Sequence, residues 1–573
     1  MKRHVHSIQT MRRARGVYLR QVLFAISILV ASALSERGAA HQTAAIASAH
    51  PLATAAGQSV FDKGGNAFDA AIAVAAALGV VEPYSSGLGG GGFFLLHRAH
   101  DRFEVMVDAR ETAPAAVTQS HYFDTEGRPV PGASRQGGTA AAIPGLPAAL
   151  VHIAQRYGKL SLAQTLAPAV RLARDGFKVD SRYAQIAKLR EGFLRSGVNT
   201  GGFLDGNEAP QTGFLLQQPA LAATLERLGS LGGAGFYAGP VARALVDAVN
   251  SAGGRWRASD LSTYRVVERE PMRFKFRGAT ITAAALPSAG GIALAQALGM
   301  LEGLATGRVG EPAMDHLVTE ALRRAFRDRE RFLGDPAFAD VPLRRLVSPE
   351  YVKQLAADID PVRATGTSTP ESEESARVES QNTTHFSIID REGNRVGATV
   401  TINLLFGAGI VPTGTGVLLN NEMDDFTLRH DVPNAFRLRG GLANRIEPGK
   451  RPLSSMTPAF VQDNKGVLIL GAPGGSRIIS QVLLAVLEYV GSKEVDLMQL
   501  VSMPRYHHQN WPDRIEIEPR GFTAEWEAAM VAKGHRVVAA NRQWGNMQAV
   551  FAPARGGSAQ AASDPRGSGV AWY

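Results

Sequence analysis

The sequence predicts an α+β fold, on three observations. Residues 138–360 carry a series of helical stretches joined by short loops. Residues 383–475 change to a strand–turn–strand texture. Two short strands come before either block, one following a glycine run and one at 103–108. Strands and helices grouped in separate blocks read as α+β. The chain has 573 residues, 45% of them hydrophobic, enough for a large buried core.

At the amino terminus, Lys2, Arg3, Arg12, Arg13, Arg15 and Arg20 precede an apolar run at 22–34. That run is short for a membrane span and right for a signal-peptide core. The small residues Ala31-Ser32-Ala33 and Gly38-Ala39-Ala40 follow, so cleavage near residue 40 and export are expected. The alternative is an uncleaved amino-terminal anchor. No later stretch reaches about 18 apolar residues, so the remainder should be soluble, with no stable membrane span once the signal is removed. The net charge of +9 comes partly from this leader. No stripe of basic and aromatic residues follows, so nucleic acid is not an expected partner. There is no cysteine, which excludes disulfides, thiolate metal sites and a cysteine nucleophile.

Residues 64–78 read as a buried helix entered through Gly64-Gly65. Gly87, Gly89 and Gly92 match the spacing of a dinucleotide fingerprint. A helix precedes them and a strand follows, however, which reverses the order that fingerprint needs. The strand at 103–108 leads into Arg110-Glu111-Thr112. Helices are expected at 146–157, 162–174, 240–252, 292–304 and 314–332, and later at 478–489, with a strand near 514–517. Residues 365–380 are polar, acidic and poor in hydrophobic side chains, hence exposed and flexible. They are either a plain linker or a processing segment.

That segment abuts Thr383 and Thr384, which begin a strand. Residues 391–394, Arg-Glu-Gly-Asn, are a hairpin turn signal. A hairpin centred on Glu392 sets Thr383 opposite Thr401, and Asn403 shares their face. A register slip of one residue would send Thr401 to the other face. Thr384 and Thr399 read as ordinary strand threonines. An internal threonine has no base beside it. Cutting the chain before Thr383 would supply one, because a terminal amine has a pKa of about 7.7–8.0. One residue would then hold both nucleophile and base.

Several runs together carry a resemblance. They include Thr383-Thr-His-Phe-Ser387, Thr401-Ile-Asn403, Leu418-Leu-Asn-Asn-Glu-Met-Asp-Asp-Phe426, Lys450-Arg-Pro-Leu-Ser-Ser-Met456 and Gly471-Ala-Pro-Gly-Gly-Ser-Arg477. Upstream are Arg110-Glu-Thr-Ala-Pro114 and the glycine run; downstream is Pro504-Arg-Tyr-His-His508. In order and number these resemble the γ-glutamyltranspeptidase family of amino-terminal-nucleophile hydrolases, also called glutathione hydrolases, over nearly everything after the leader.

The resemblance implies a four-layer αββα sandwich, two stacked sheets between helical layers. It implies a precursor that cuts itself between Asn382 and Thr383. The products would be a signal peptide (1–40), a large subunit (41–382) and a small catalytic subunit (383–573) that stay associated. It implies that Thr383 attacks the γ-amide of glutathione or another γ-glutamyl compound. The resulting ester is resolved by water or by an amino acid or peptide acceptor. Thr401 would orient the Thr383 amine, and the amides of Gly474 and Gly475 would hold the oxyanion. Arg110 would clamp the substrate carboxylate with Ser454 and Ser455, while Asp425, Glu422 and Asn403 cage its ammonium group. Residues 431–449 match a lid loop, in which Phe436 stands where a tyrosine is frequent. No cofactor or metal is needed. A glutaryl-type cephalosporin acylase on the same fold is the alternative, and the ammonium cage argues against it. His507 and His508 read as structural.

Overall fold

The computed structural model describes residues 43–304, 307–366 and 382–573. The leader lies outside them, as does most of the polar run before Thr383. Among the described residues no helix is long and apolar enough to cross a membrane.

Two antiparallel sheets form the centre. Their strands are β1 (Ala45–Ser48), β2 (Gly91–Arg98), β3 (Phe103–Ala109), β4 (Val267–Arg269), β5 (Met272–Phe276), β6 (Ala279–Ala283), β7 (Thr384–Ile389), β8 (Arg395–Thr401), β9 (Ala459–Gln462), β10 (Gly466–Gly471), β11 (Gln548–Pro553), β12 (Gln560–Ser563) and β13 (Val570–Trp572). A seven-stranded sheet runs β13-β1-β7-β8-β2-β3-β4, and a six-stranded sheet runs β12-β11-β10-β9-β6-β5. Between them lies a thin apolar layer that includes Ala45, Ala47, Leu95, Ile389, Phe460, Ile469 and Val550. Alternation along the strands sends their other side chains outward. Phe94, Leu96, Phe386 and Ile388 pack under α1 (Pro51–Phe61), α2 (Ala67–Val81) and α3 (Leu162–Asp175). On the far side, Ile281, Leu468 and Leu470 pack under α4 (Gly290–Glu302), α5 (Pro312–Phe332) and α6 (Arg477–Gly491). The architecture is therefore an αββα sandwich.

One expectation needs correction. Residues 138–360 are not helices and loops alone, because β4, β5 and β6 lie among them and close one edge of each sheet. Met272, Phe274 and Phe276 alternate with Arg273 and Lys275, a period-2 pattern embedded in helical surroundings.

Three local devices place the hairpin β7–β8. Asp390 Oδ1 accepts from the amides of Glu392 (2.9 Å) and Asn394 (2.9 Å), which closes the turn. Its Oδ2 accepts from the Ala67 amide (2.9 Å), fixing the turn to the start of α2. The ladder pairs Thr384 with Val400 and Ile389 with Arg395, which is the register a turn centred on Glu392 gives. On the other side β8 pairs with β2, Thr401 against Gly91. The glycine run is a requirement of this packing. A Cβ on Gly90 would lie 1.9 Å from the Thr401 carbonyl oxygen, and one on Gly92 would lie 2.4 Å from that of Thr399.

Candidate active site

Thr383 sits one residue before β7, at the mouth of a cleft in the sandwich. The cleft is narrow, with a cavity volume of about 20 Å³. Arg110, Thr383, Thr401, Asn403, Glu422, Asp425, Phe436, Ser454, Ser455 and Gly475 all line it. Gly474 is the neighbour of Gly475, and Asn382 precedes Thr383 in a fully buried position.

The nucleophile candidate is held in an unusual backbone state. Thr383 has φ +78°, a region that β-branched residues rarely occupy. Such a conformation costs about 1–3 kcal/mol and persists only where the surroundings impose it. Thr383 Oγ1 and Thr401 Oγ1 share a hydrogen bond of 3.0 Å. Thr401 Oγ1 also accepts from the Asn403 amide (2.8 Å), so its own proton remains available to Thr383. Both carboxamide heteroatoms of Asn382 are buried without a hydrogen-bond partner among the described residues. Strain and unsatisfied polar groups thus meet at one peptide bond.

The loop before α6 carries the expected donors, Gly474 and Gly475. Gly474 (φ +126°) and Gly475 (φ +58°) turn the chain from β10 into the helix. Among the described residues neither amide donates to a backbone carbonyl outside the helices and strands. They lie just before the positive end of a 15-residue helix. A Cβ on Gly475 would lie 2.3 Å from the Phe436 ring, so this aromatic is seated directly on the turn.

The charged end of the cleft is built around Arg110, which is 1% exposed. Its Nη1 donates to Glu422 Oε1, and its Nη2 to Asp425 Oδ2 at 2.5 Å. Its Nε donates to the Pro452 carbonyl at 3.1 Å. The expected carboxylate clamp and ammonium cage are therefore bonded to each other. Burial drives the Glu422 carboxyl well above its ordinary range, against the pull of Arg110. Burial likewise pushes the neighbouring Glu111 up to about 7, with Arg110 partly offsetting it. Ser454 Oγ accepts from the Met456 amide at 3.1 Å, and Ser455 Oγ is buried without a partner.

The loop expected to form a lid is tied to the same cluster. Asp425 Oδ1 accepts from Asn434 Nδ2 (3.0 Å). Asn434 Oδ1 in turn accepts from the amides of Phe436 and Leu438, both at 3.0 Å. Asp424 accepts from the Ala435 amide (2.8 Å) and from Ser134 (2.6 Å). His507 bonds Ser480 and Gln509, and His508 bonds Asp513.

Sequence reasoning missed Arg329. It lines the cleft, is buried, and has its Nε without a partner. Burial lowers its guanidinium to about 10, with Asp425 opposing. It is one of five arginines on α5, and nothing in the local pattern separates it from the other four.

Comparison with known proteins accords with this geometry. The family model described as gamma-glutamyltranspeptidase matches residues 53–573. The chain belongs to the gamma-glutamyltranspeptidase family. It is 40% identical to the glutathione hydrolase proenzyme of Pseudomonas aeruginosa, over 89% of this chain and 91% of that one. It is 37% identical to the glutathione hydrolase proenzyme of Escherichia coli, over 91% and 90% respectively. Among solved structures, cephalosporin acylase from Bacillus halodurans superposes with a TM-score of 0.81 at 25% identity, covering 93% of this chain and 96% of that one. Gamma-glutamyltranspeptidases and this acylase thus share the family's amino-terminal-nucleophile hydrolase sandwich.

Proposed function

We propose that this chain is a self-cutting precursor of a γ-glutamyltransferase and glutathione hydrolase, exported from the cell by its leader. The observation that carries the reading is Thr383: a strained threonine after a buried asparagine, hydrogen-bonded to Thr401, in a cleft that ends in a cation and two carboxylates. In the precursor, Thr383 Oγ1 attacks the Asn382 carbonyl carbon. The C–N bond breaks as the C–O ester forms, and the nitrogen takes the hydroxyl proton. Water then hydrolyses the ester, leaving the Asn382 carboxylate and a free Thr383 amine. Release of the φ strain favours the cut.

In the cut enzyme the same hydroxyl attacks the γ-amide carbon of the substrate. The terminal amine takes its proton and passes it to the leaving nitrogen. The amides of Gly474 and Gly475 meet the developing oxyanion, each worth about 2.7–4 kcal/mol in a comparable site. Water or an acceptor amine then attacks the γ-glutamyl ester. A γ-glutamyl substrate presents both an α-carboxylate and an α-ammonium. Arg110 is already paired with Glu422 and Asp425, so this zwitterion can insert between them, exchanging one set of ion pairs for two at constant net charge. A glutaryl group lacks the ammonium, so it would compete with Glu422 and Asp425 for Arg110 without supplying a replacement cation. That difference favours γ-glutamyl over glutaryl substrates.

The test uses chromogenic γ-glutamyl and glutaryl anilides with the purified protein. Faster release from the γ-glutamyl anilide is expected. Preference for the glutaryl anilide would transfer the chain to the acylase reading.

A further inference from the structure

Helix α5 carries three buried arginines. Two of them are satisfied. Arg323 donates to Glu320 (3.1 Å) and to Asp513 (2.6 Å), and Arg324 donates to Glu320 (2.7 Å). The third, Arg329, lines the nucleophile's cleft and is 5% exposed. It makes no side-chain hydrogen bond or ion pair among the described residues, and its Nε is enclosed without an acceptor. Asp425 attracts it by charge, but both oxygens of that carboxylate are taken, one by Arg110 and the other by Asn434. A buried guanidinium without acceptors is costly until an anion completes it.

A second donor opens on the same space. Ser455, on the loop before β9, lines the cleft, and its buried Oγ has no partner among the described residues. Arg110, by contrast, is already engaged with Glu422, Asp425 and the Pro452 carbonyl. The cleft is narrow, so Arg329 and Ser455 face one small volume. Both lack an acceptor, and a carboxylate offers two oxygens and no proton. The lining holds two guanidiniums, Arg110 and Arg329, and two carboxyls, Glu422 and Asp425. The α-carbon of a γ-glutamyl group carries one substituent for each pair, a carboxylate and an ammonium.

We propose that Arg329 is a substrate-binding residue: with Ser455 it holds the α-carboxylate of the donor, as a second guanidinium beside Arg110. This role rests on the γ-glutamyl reading of the cleft. Arginine suits it, because a planar fork meets a carboxylate with two parallel hydrogen bonds. Arg329 comes from before the proposed cut and Ser455 from after it. The donor's carboxylate thereby bridges the two fragments.

The experiment compares three p-nitroanilides on the purified, self-cut protein. The γ-glutamyl anilide carries both carboxylate and ammonium, the glutaryl anilide only the carboxylate, and the 4-aminobutyryl anilide only the ammonium. Arg329→Gln should raise KM for the γ-glutamyl anilide about tenfold or more, with a smaller change in kcat. The glutaryl anilide should weaken in the same way. The 4-aminobutyryl anilide should keep a kcat/KM within about twofold of the wild type, since it brings no carboxylate to lose. Arg329→Lys keeps the charge without the fork and should fall between the two. Where an anilide turns over too slowly, competitive inhibition by glutamate, glutarate and 4-aminobutyrate gives the same comparison. Self-cleavage into two fragments reports that a variant has folded, and Arg329→Lys carries the test if Arg329→Gln stays uncut. Equal losses on all three anilides would make Arg329 structural and overturn the proposal, as would an unchanged KM for the γ-glutamyl anilide. If the wild type prefers the glutaryl anilide, the γ-glutamyl reading fails. If it prefers the γ-glutamyl anilide and the variants do not single out the carboxylate, only the role of Arg329 fails.

Discussion

Thr383 and Arg110 concentrate the chemistry at the scale of single residues. Thr383→Ala removes the hydroxyl proposed to attack the Asn382 carbonyl. The expected product is one uncut, inactive chain on a denaturing gel; two bands would end the self-cleavage account. Arg110→Lys tests the charged end. The guanidinium serves Glu422, Asp425 and the Pro452 carbonyl together, and an ammonium on a flexible stem cannot hold that fork. A KM raised about tenfold or more is expected, with a smaller change in kcat, because ground-state binding is what is lost. An unchanged KM would remove Arg110 from the substrate site.

At the scale of elements, the turn from β10 into α6 carries the amides proposed as oxyanion donors and seats Phe436. Gly475→Ala should lower kcat about 10²–10³-fold, since a methyl cannot share space with the Phe436 ring and φ +58° disfavours a Cβ. Steady-state kinetics on the anilide would show it, and wild-type kcat would mean that this turn does not face the oxyanion. Glu516 gives an acid signature. Burial raises its carboxyl, but Arg477 and Arg514 outweigh that and bring it down to about 2. A folded value below the unfolded value of about 4.3 gives stability that is complete above that pH and is lost as pH falls toward 2. Glu516→Gln should therefore weaken the fold at neutral pH and flatten its acid decline between about 4 and 2. Trp544, which stacks 5.3 Å from the Arg477 guanidinium, offers a fluorescence readout. What the sequence made legible follows the same logic. The hairpin register was readable because one turn fixes every pair beyond it. The alternation of Met272, Phe274 and Phe276 was present but masked by neighbouring helices. The Arg477–Glu516 pairing and the cleft position of Arg329 were not readable, because both depend on contacts distant in sequence.

For the whole molecule, the order of strands decides what a cut before Thr383 can do. In the seven-stranded sheet β1, β2, β3 and β4 come from before it, and β7, β8 and β13 from after. The ladders β13–β1, β1–β7 and β8–β2 each join the two sides. In the other sheet β6 from before the cut pairs with β9 from after it. The layer between the sheets draws Ala45, Ala47 and Leu95 from one side, and Ile389, Phe460, Ile469 and Val550 from the other. Large apolar side chains in such a layer contribute about 1.5–3 kcal/mol each when buried. Separating the fragments would expose that layer and unpair strands in the middle of both sheets, so neither fragment keeps the core between the sheets. The two pieces, 41–382 and 383–573, should co-elute on gel filtration at the mass of the uncut chain and separate only in denaturant. Residues 383–573 expressed alone should fail to fold, giving a flat near-ultraviolet circular dichroism spectrum. Native separation of the pieces, or a folded 383–573 fragment, would mean that the sandwich is two units and that the cut, not the sheets, defines its domains.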